Sequence, residues 1–184
     1  MRKPKSKYCP QCSKIAGMPT HVLVDSGRGH NVNCIDCFDG EYRFLSNFYP
    51  SEVTAEWNED RVKVKTVEHA FQAAKAMRRA DFDAICAAPT PGRAKRLGRE
   101  IMLRPGWDAV KHDVMEKLVR EKFQDPKLRE KLLATRADAE LIEGNTWGDV
   151  YWGAVATSDG QWEGENHLGK ILMKVRQELR AVSI

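Results

Sequence analysis

The stretch TVEHAFQAAKA, residues 66–76, carries the clearest helical pattern in this sequence. Polar side chains recur along it at the spacing of one helix face: Glu68, Gln72, Lys75 and Arg79. Residues three or four apart share a face of an α-helix. The pattern therefore predicts a helix over residues 66–79 with one polar and one apolar face. Taken alone, the polar stripe fits a solvated surface and a functional site equally well.

The sequence on either side of this helix indicates an α+β domain over residues 38–184. Before the helix, alternating apolar residues predict a hairpin of residues 53–57 and 61–65, and a further strand over 41–45. After it, cap residues and apolar periodicity predict helices beginning at Thr90-Pro91, Trp107, Asp125-Pro126 and Asn166. A short strand over 139–143 leads into a loop rich in glycine and tryptophan, residues 144–165. We expect a mainly helical domain around a small β core.

Composition excludes several classes of protein. The 184 residues are 42% hydrophobic and 30% charged, which suits one globular core with a small appendage. No apolar run approaches the roughly 20 residues of a membrane span, and no apolar segment follows the basic N-terminus as a secretory signal requires. We therefore expect a cytoplasmic location with no membrane partner. The net charge of +4 permits contact with nucleic acid without requiring it.

Two CxxC pairs near the N-terminus suggest a structural metal site. Cys9 and Cys12 are separated from Cys34 and Cys37 by 21 residues, close to the spacing of four-cysteine zinc sites. The sequence predicts a zinc-ribbon-like module over residues 1–37, whose fold the metal would stabilise. Four free thiols or a redox pair are the alternatives. The fifth cysteine, Cys86, suits a small buried apolar position.

Basic residues surround the predicted ribbon, which suits contact with a phosphate backbone. They are Lys3, Lys5, Lys7, Lys14 and Arg28. We expect single-stranded or duplex DNA, or RNA, as the partner of this module, ahead of a purely structural or protein-docking role.

Three further motifs have both a structural and a functional interpretation. Asn47 can cap a turn or hold a ligand hydroxyl. Asp149 precedes Trp152 in the long loop, where a tryptophan can stack on a base or anchor the loop to the core. On the basic helix after Thr90, Arg99 is a candidate phosphate ligand, whereas Lys95 suits a solvated face. The histidines His69, His112 and His167 share no metal-ligand spacing, so we expect structural roles for them.

Together these segments resemble the NADAR family, also called YbiA-like. The matching pieces, in the family's order, are FLSNFYP at 44–50, TVEHAFQAAKA at 66–76, LGR at 97–99, Trp107 before a helix ending in Lys122-Phe123, LLAT at 132–135, DVYWG at 149–153 and GENHLGKILMKVR at 164–176. The resemblance covers residues 38–180 and leaves the N-terminal module outside.

The resemblance implies an α+β fold and an N-glycosidase acting on ribosyl-type substrates. The substrate is expected to be ADP-ribosylated guanine in DNA or a phosphoribosylamino-pyrimidine intermediate of riboflavin synthesis. We expect catalytic roles for Glu68, Asp149 and Lys75, with Lys75 either binding phosphate or attacking C1′ as an amine. The expected substrate-binding residues are Asn47, Phe48, Gln72, Arg99, Trp152, Gly153 and Asn166. Neither a catalytic metal nor an organic cofactor is expected.

Two other classes of protein would show the same motifs. A non-catalytic module that reads ADP-ribose or nucleic acid would tolerate loss of Glu68 but not of Trp152 or Arg99. A structural domain whose polar motifs are caps and turns would show no stabilisation by a ligand. The presence of both Glu68 and Asp149 favours the enzyme.

Overall fold

The computed structural model describes residues 34–158 and 161–182. These residues form short strands and six helices. The strands are β1 (Cys34–Ile35), β2 (Val53–Trp57), β3 (Asp60–Val64), β4 (Glu140–Leu141), β5 (Gly144–Asn145), β6 (Ala154–Ala156) and β7 (Trp162–Glu163). The helices are α1 (Val67–Ala73), α2 (Arg79–Cys86), α3 (Pro91–Glu100), α4 (Trp107–Lys122), α5 (Pro126–Ala134) and α6 (His167–Ala181), and a 3-10 helix spans Gly40–Leu45. This mixture of helices and small sheets confirms the predicted α+β class.

One compact unit comprises residues 44–134 and is built around α1. Its hairpin pairs β2 antiparallel with β3, with Val53 opposite Val64. The turn between the strands places Asn58 in the left-handed region at φ 52°, a conformation that asparagine tolerates better than most residues. Helix α1 packs against β2, α2, α3 and α4. All seven residues of α1 are buried, so its polar side chains lie inside this unit.

The other compact unit comprises the described residues in 34–43 and 135–182. Strand β1 pairs in parallel with β4, and β6 lies between β5 and β7 in a three-stranded sheet. Helix α6 packs against β4. The buried guanidinium of Arg176 on α6 donates hydrogen bonds to the Thr135 hydroxyl and to the carbonyls of Ala137 and Ala139. One side chain thereby donates hydrogen bonds to two backbone carbonyls of the segment that leads into β4.

The predicted helix over residues 66–79 is wrong in its second half. Helix α1 ends at Ala73 because the chain then pairs with a distant segment. The amide of Arg104 donates to the Lys75 carbonyl at 2.8 Å, and Ala76 forms a bridge with Leu103. Alanine and lysine favour a continued helix, so tertiary pairing overrides local propensity here. Arg79 instead begins α2, a helix that the sequence analysis did not predict.

The predicted strand over residues 41–45 is also wrong, since these residues belong to the 3-10 helix Gly40–Leu45. Gly40 enters it at φ 55°, and the amide of Tyr42 bonds to the Asp39 carbonyl. Such a turn cannot continue as an extended strand. Phe44 and Leu45 are nonetheless buried.

The hairpin and the other helix starts are confirmed. Thr90 caps α3 by accepting a hydrogen bond from the Arg93 amide, and Pro91 occupies the first helical position. Asp125 accepts from the amides of Lys127 and Leu128 at the start of α5. Across the residues that the structure describes, no helix combines the length and apolar character that crossing a membrane requires.

Candidate active site

Glu68 is a buried carboxylate held by hydrogen bonds in the first turn of α1. Only 5% of its surface is exposed. Gln72, one helical turn later, donates from Nε2 to Glu68 Oε1 at 2.8 Å. The Glu68 amide donates to the carbonyl of Asn47 at 3.1 Å. The carboxylate is therefore fixed through both its side chain and its backbone.

Burial raises the pKa of the Glu68 carboxyl group above its ordinary range. The positive charges of Lys95, Lys75 and Arg99 and the hydrogen bond from Gln72 oppose this shift without cancelling it. A carboxyl group with a raised pKa holds a proton more readily than an ordinary glutamate, which suits a group that accepts a proton and returns it during a reaction. Glu68 thus has the properties of a general acid–base group.

Lys75 lies just beyond α1 and interacts electrostatically with Glu68. Burial is the main cause that lowers the pKa of its ammonium, and the neighbouring charges of Lys95 and Arg99 lower it further, while Glu68 opposes them. Its Nζ lies 5.4 Å from the centre of the Phe71 ring. A lysine with a lowered pKa carries more of the neutral, nucleophilic amine.

Arg79, the last residue of the predicted polar stripe, belongs to a different environment. Its exposed guanidinium forms ion pairs with Asp60 and Asp83. The end of α1 at Ala73 separates this side chain from the helix face of Glu68. The prediction that these polar residues share one helix face is therefore confirmed for Glu68 and Gln72 and wrong for Arg79.

Helix α3 brings cations and a glycine toward α1. Lys95 is half-buried, with Nζ 5.7 Å from the centre of the Phe48 ring, whereas Arg99 is exposed. The predicted solvated position of Lys95 is not met, because the side chain is half-buried. Its charge is the foremost of those that lower the pKa of Glu68. Gly98 is buried, and a Cβ atom there would lie 2.0 Å from Gln72 Oε1. Only glycine leaves room for the Gln72 amide.

Two buried amide oxygens in this unit accept no hydrogen bond from any described residue. They are Asn47 Oδ1 and Gln72 Oε1. Asn47 is otherwise well held, because its Nδ2 contacts the Met115 sulfur at 3.4 Å and its carbonyl accepts from Glu68. Buried acceptors are normally satisfied, so these two atoms are suited to hydroxyl or amino donors of a ligand.

His69 follows Glu68 but has a structural role, as predicted. The ring is fully buried between Thr66 and Ala88. Because a carbonyl only accepts, His69 Nε2 donates to Ala88, and Nδ1 accepts from the Thr66 hydroxyl at 2.8 Å. Burial lowers the pKa of this imidazole, which favours the neutral ring that these contacts require.

The other predicted site residues lie in the unit of residues 34–43 and 135–182. Asp149 accepts hydrogen bonds at Oδ1 from the amides of Tyr151 and Trp152, at 3.2 and 2.9 Å. The buried Asn145 donates to the Asp149 carbonyl at 2.7 Å and accepts from its amide. These contacts shape the loop that presents Trp152. A catalytic role for Asp149 stays a prediction.

Three aromatic rings cluster on this loop and at the start of α6. The Tyr151 centroid lies 5.3 Å from that of Trp152 and 4.6 Å from that of His167. His167 Nε2 also contacts a carboxylate oxygen of Glu165 at 2.7 Å. The cluster offers flat surfaces of the kind on which a base stacks.

Gly153 and Asn166 have clear structural roles in this unit. A Cβ atom on Gly153 would lie 2.2 Å from the Glu143 carbonyl oxygen. Asn166, at φ 50°, accepts from the Glu143 amide and donates to the Leu141 carbonyl. It is the predicted cap residue of α6, yet its side chain bonds to Leu141 in β4 and to Glu143 just after that strand instead of capping the helix. Direct contact of either residue with substrate stays a prediction.

The family follows from comparison with known proteins. Residues 37–180 match the model of the NADAR domain. The chain belongs to the NADAR family. It is 42% identical to the N-glycosidase YbiA of Escherichia coli, over 86% of this chain and 92% of that protein. The solution structure of E. coli YbiA aligns with 83% of this chain and 88% of that chain, with a TM-score of 0.65 and 37% identity.

Two more distant relatives bear related names. An N-glycosidase of Nostoc punctiforme is 38% identical over 76% of this chain and 86% of its own length. A riboflavin biosynthesis protein of Vibrio vulnificus is 36% identical over 77% of this chain, which spans 37% of that longer protein. The N-glycosidases of E. coli and Nostoc punctiforme confirm the prediction that this NADAR chain is an enzyme of the N-glycosidase class.

Sequence reasoning gave no role in the site to three residues that contact its predicted members or their chain neighbours, or act on their pKa values; two lie in the unit of residues 44–134 and one in the other unit. They are Lys95, Lys122 and Asn145. For Lys95 a signal exists, since its spacing from Gly98 and Arg99 places all three on one face of α3. Lys122 and Asn145 act through contacts with residues distant or irregularly placed in the chain, and no periodicity reveals such contacts.

The predicted zinc module falls mostly outside the described residues, and so do Cys9 and Cys12. Cys34 lies half-buried in β1. Burial, with the charges of Asp36 and Glu140, raises the pKa of its thiol to about 12. Within residues 34–158 and 161–182, no three His, Cys, Asp or Glu side chains group so as to hold a metal ion. Cys86 was predicted to be buried, and it is half-buried.

Proposed function

We propose that this NADAR enzyme hydrolyses the C–N bond between C1′ of a ribosyl group and the nitrogen of a base, with Glu68 as its principal catalytic residue. The observation that supports this most strongly is the environment of Glu68. It is a buried carboxyl with a raised pKa, fixed by Gln72 and surrounded by three cations.

Glu68 would act on the water molecule that attacks C1′. The water oxygen bonds to C1′ while the C1′–N bond breaks and its electron pair passes to the base nitrogen. Glu68 takes the proton that the water loses and can return it to the departing nitrogen. As a carboxylate it also stabilises the positive charge that develops on the sugar.

The cations around Glu68 support an anionic substrate. Lys75, Lys95 and Arg99 contribute three positive charges against the single carboxylate of Glu68. Phosphate groups are favoured where lysine and arginine converge. Both expected substrates, an ADP-ribosyl group and a phosphoribosylamino-pyrimidine, supply phosphate. Ribose hydroxyls would satisfy the buried Asn47 oxygen.

Lys75 has two alternative roles, and its lowered pKa supports the covalent one. In that role the neutral amine attacks C1′ of the ring-opened sugar. The C1′–N bond to the base breaks, the base leaves with a proton, and an imine joins C1′ to Nζ. Water then hydrolyses the imine and restores the free lysine.

Substitution by arginine separates these roles. An arginine at position 75 keeps the charge that binds phosphate but cannot form the imine. For the covalent role we expect Lys75→Arg to lose turnover about as severely as loss of a catalytic group, about 10²-fold or more. Borohydride should then trap a sugar adduct on the wild type alone. Near-normal turnover of Lys75→Arg without trapping would leave Lys75 as a phosphate ligand.

The proposed function is tested by product release from two substrates in parallel. One is single-stranded DNA carrying ADP-ribosylated guanine, and the other is the phosphoribosylamino-pyrimidine. We expect wild type to cleave at least one of them and Glu68→Gln to lose about 10²–10⁴-fold in turnover while remaining folded. Tight binding of ADP-ribose without cleavage of either substrate would overturn the proposal in favour of a binding module.

We also propose that Cys9, Cys12, Cys34 and Cys37 bind a structural zinc ion and that the basic N-terminal module contacts DNA. The support is the CxxC spacing and the surrounding lysines. Zinc binding by all four cysteines requires reduction of Cys37, which the structure has in a disulfide bond. Thiolates are the ligands that zinc prefers. Activity on the DNA substrate would give this module a role in substrate binding, whereas activity on the pyrimidine alone would favour a structural one.

A further inference from the structure

Lys122 is a buried charged residue that the proposed reaction does not use. It ends α4 and exposes only 1% of its surface. Its Nζ donates to the Ser46 carbonyl at 2.8 Å and lies 5.9 Å from the centre of the Tyr49 ring and 5.3 Å from that of Phe123. The ammonium thus fixes a backbone atom 76 residues away in the chain.

The Ser46 carbonyl is the anchor of the turn that carries Asn47 and Phe48. It also accepts a hydrogen bond from the amide of Tyr49, which closes the turn over residues 46–49. The Ser46 hydroxyl accepts from the amide of Phe48 at 3.2 Å. Fixing this carbonyl therefore fixes the two residues that follow it.

The same turn connects directly to Glu68. The Asn47 carbonyl accepts from the Glu68 amide, and Asn47 Nδ2 contacts Met115, two helical turns before Lys122 on α4. Helix α4 thus holds the turn at two points, through the side chain of Asn47 and through the backbone of Ser46. The remaining polar atom of the Asn47 side chain is Oδ1, which is buried and accepts no hydrogen bond from any described residue.

Burying a charge is costly even when a carbonyl and aromatic faces compensate in part. A methionine would fill similar space without that cost. The position of the Lys122 charge is better explained by the 46–49 turn, which its hydrogen bond to the Ser46 carbonyl orients.

We propose that Lys122 is a positioning residue of the active site, which locks the 46–49 turn so that Asn47 Oδ1 and Phe48 meet the substrate. This inference rests on the proposed function for its kinetic consequence, but the locking of the turn is independent of the substrate. A displacement of about 1 Å in a binding group is enough to cost roughly 10²-fold in rate.

The test uses full-length protein with Lys122→Met, and Lys117→Met as a matched control. Lys117 lies on the same helix, but its side chain is 58% exposed and pairs with Glu56. We expect Lys122→Met to lose roughly 10–100-fold in kcat/KM at an unchanged or higher melting temperature. Lys117→Met should behave as wild type.

A double variant distinguishes positioning from general damage. If Lys122 acts through the turn, the losses of kcat/KM in Lys122→Met and Asn47→Ala should combine to less than their sum in the double variant, because both variants disturb the same 46–49 turn. Fully additive losses would overturn the proposal. If Lys122→Met does not fold, Lys122→Gln replaces it; the glutamine keeps an N–H donor and should retain more activity than a variant lacking one.

Amide exchange keeps this inference separate from the proposed function. In Lys122→Met the Tyr49 amide should exchange faster than in wild type, while amides in the middle of α4 should not. Wild type that cleaves neither substrate would overturn the proposed function, and faster Tyr49 exchange would still support the locking of the turn. Unchanged exchange at Tyr49 would overturn the inference about Lys122, whatever the activity.

Discussion

At the scale of single residues, Glu68 illustrates how an active-site group can oppose stability. Its folded-state pKa is raised by burial, so the folded protein binds this proton more tightly than the unfolded chain does. The resulting stabilisation is complete at low pH, where Glu68 is protonated in both states. It is lost as the pH rises through the folded-state pKa.

This linkage predicts a pH-dependent gain in stability for Glu68→Gln. Glutamine resembles the protonated carboxyl and can still accept from Gln72. We expect a higher melting temperature than wild type at pH 7–8. The difference should shrink as the pH falls through the raised folded-state pKa of Glu68 and reach its minimum by about pH 4.3, where an unfolded glutamate takes up its proton. Thermal unfolding across this range measures it. Glu100→Gln, at an exposed position of α3, is the control, and a Glu68→Gln difference that is independent of pH would contradict the assignment.

At the scale of secondary structure, the contact between α1 and α3 determines the geometry of the carboxylate. Gly98 on α3 leaves the space that Gln72 occupies, and Gln72 in turn donates to Glu68. An added methyl group at Gly98 would meet Gln72 Oε1, Cδ and Cβ together. The whole side chain must therefore move, and the hydrogen bond to Glu68 would be lost.

We accordingly predict that Gly98→Ala lowers turnover roughly 10–100-fold and destabilises the protein by about 1–3 kcal/mol through overpacking. Gly92→Ala is the matched control on the same helix, because nothing lies within 4 Å of its added Cβ. It should keep full activity and gain slightly in stability, since alanine favours a helix over glycine. Equal activity of the two variants would show that Gln72 does not position Glu68.

The elements also show what the sequence can and cannot predict. Starts of helices were predictable where a cap residue announces them locally, as Thr90 and Asp125 do. The end of α1 was not, because it depends on pairing of residues 75–77 with residues 102–104, about 27 positions away. The Glu68–Gln72 pair follows from helical spacing alone. The contributions of Lys95 and Lys122 depend on packing between helices, which spacing within one helix does not encode.

At the scale of the whole molecule, the two CxxC pairs lie at the N-terminal border of the NADAR domain, whose match begins at residue 37. Cys34 lies in β1, which pairs with β4 of the unit that also carries Asp149 and Trp152. Its thiol, with a pKa of about 12, is protonated at neutral pH unless a metal displaces the proton. Zinc bound there would therefore be released as the pH falls.

We predict roughly one zinc ion per chain in wild type, as expected for a four-cysteine site, and clearly less in Cys34→Ser. Cys86→Ser is the control, because Cys86 lies outside both CxxC pairs. Metal analysis of the purified proteins measures their zinc content.

The two substrates then show what the zinc is for. If the module contacts DNA, removal of zinc by a chelator should slow cleavage of ADP-ribosylated DNA far more than cleavage of the pyrimidine nucleotide. Equal slowing of both would indicate a structural role, and the absence of zinc from wild type would contradict the four-cysteine site.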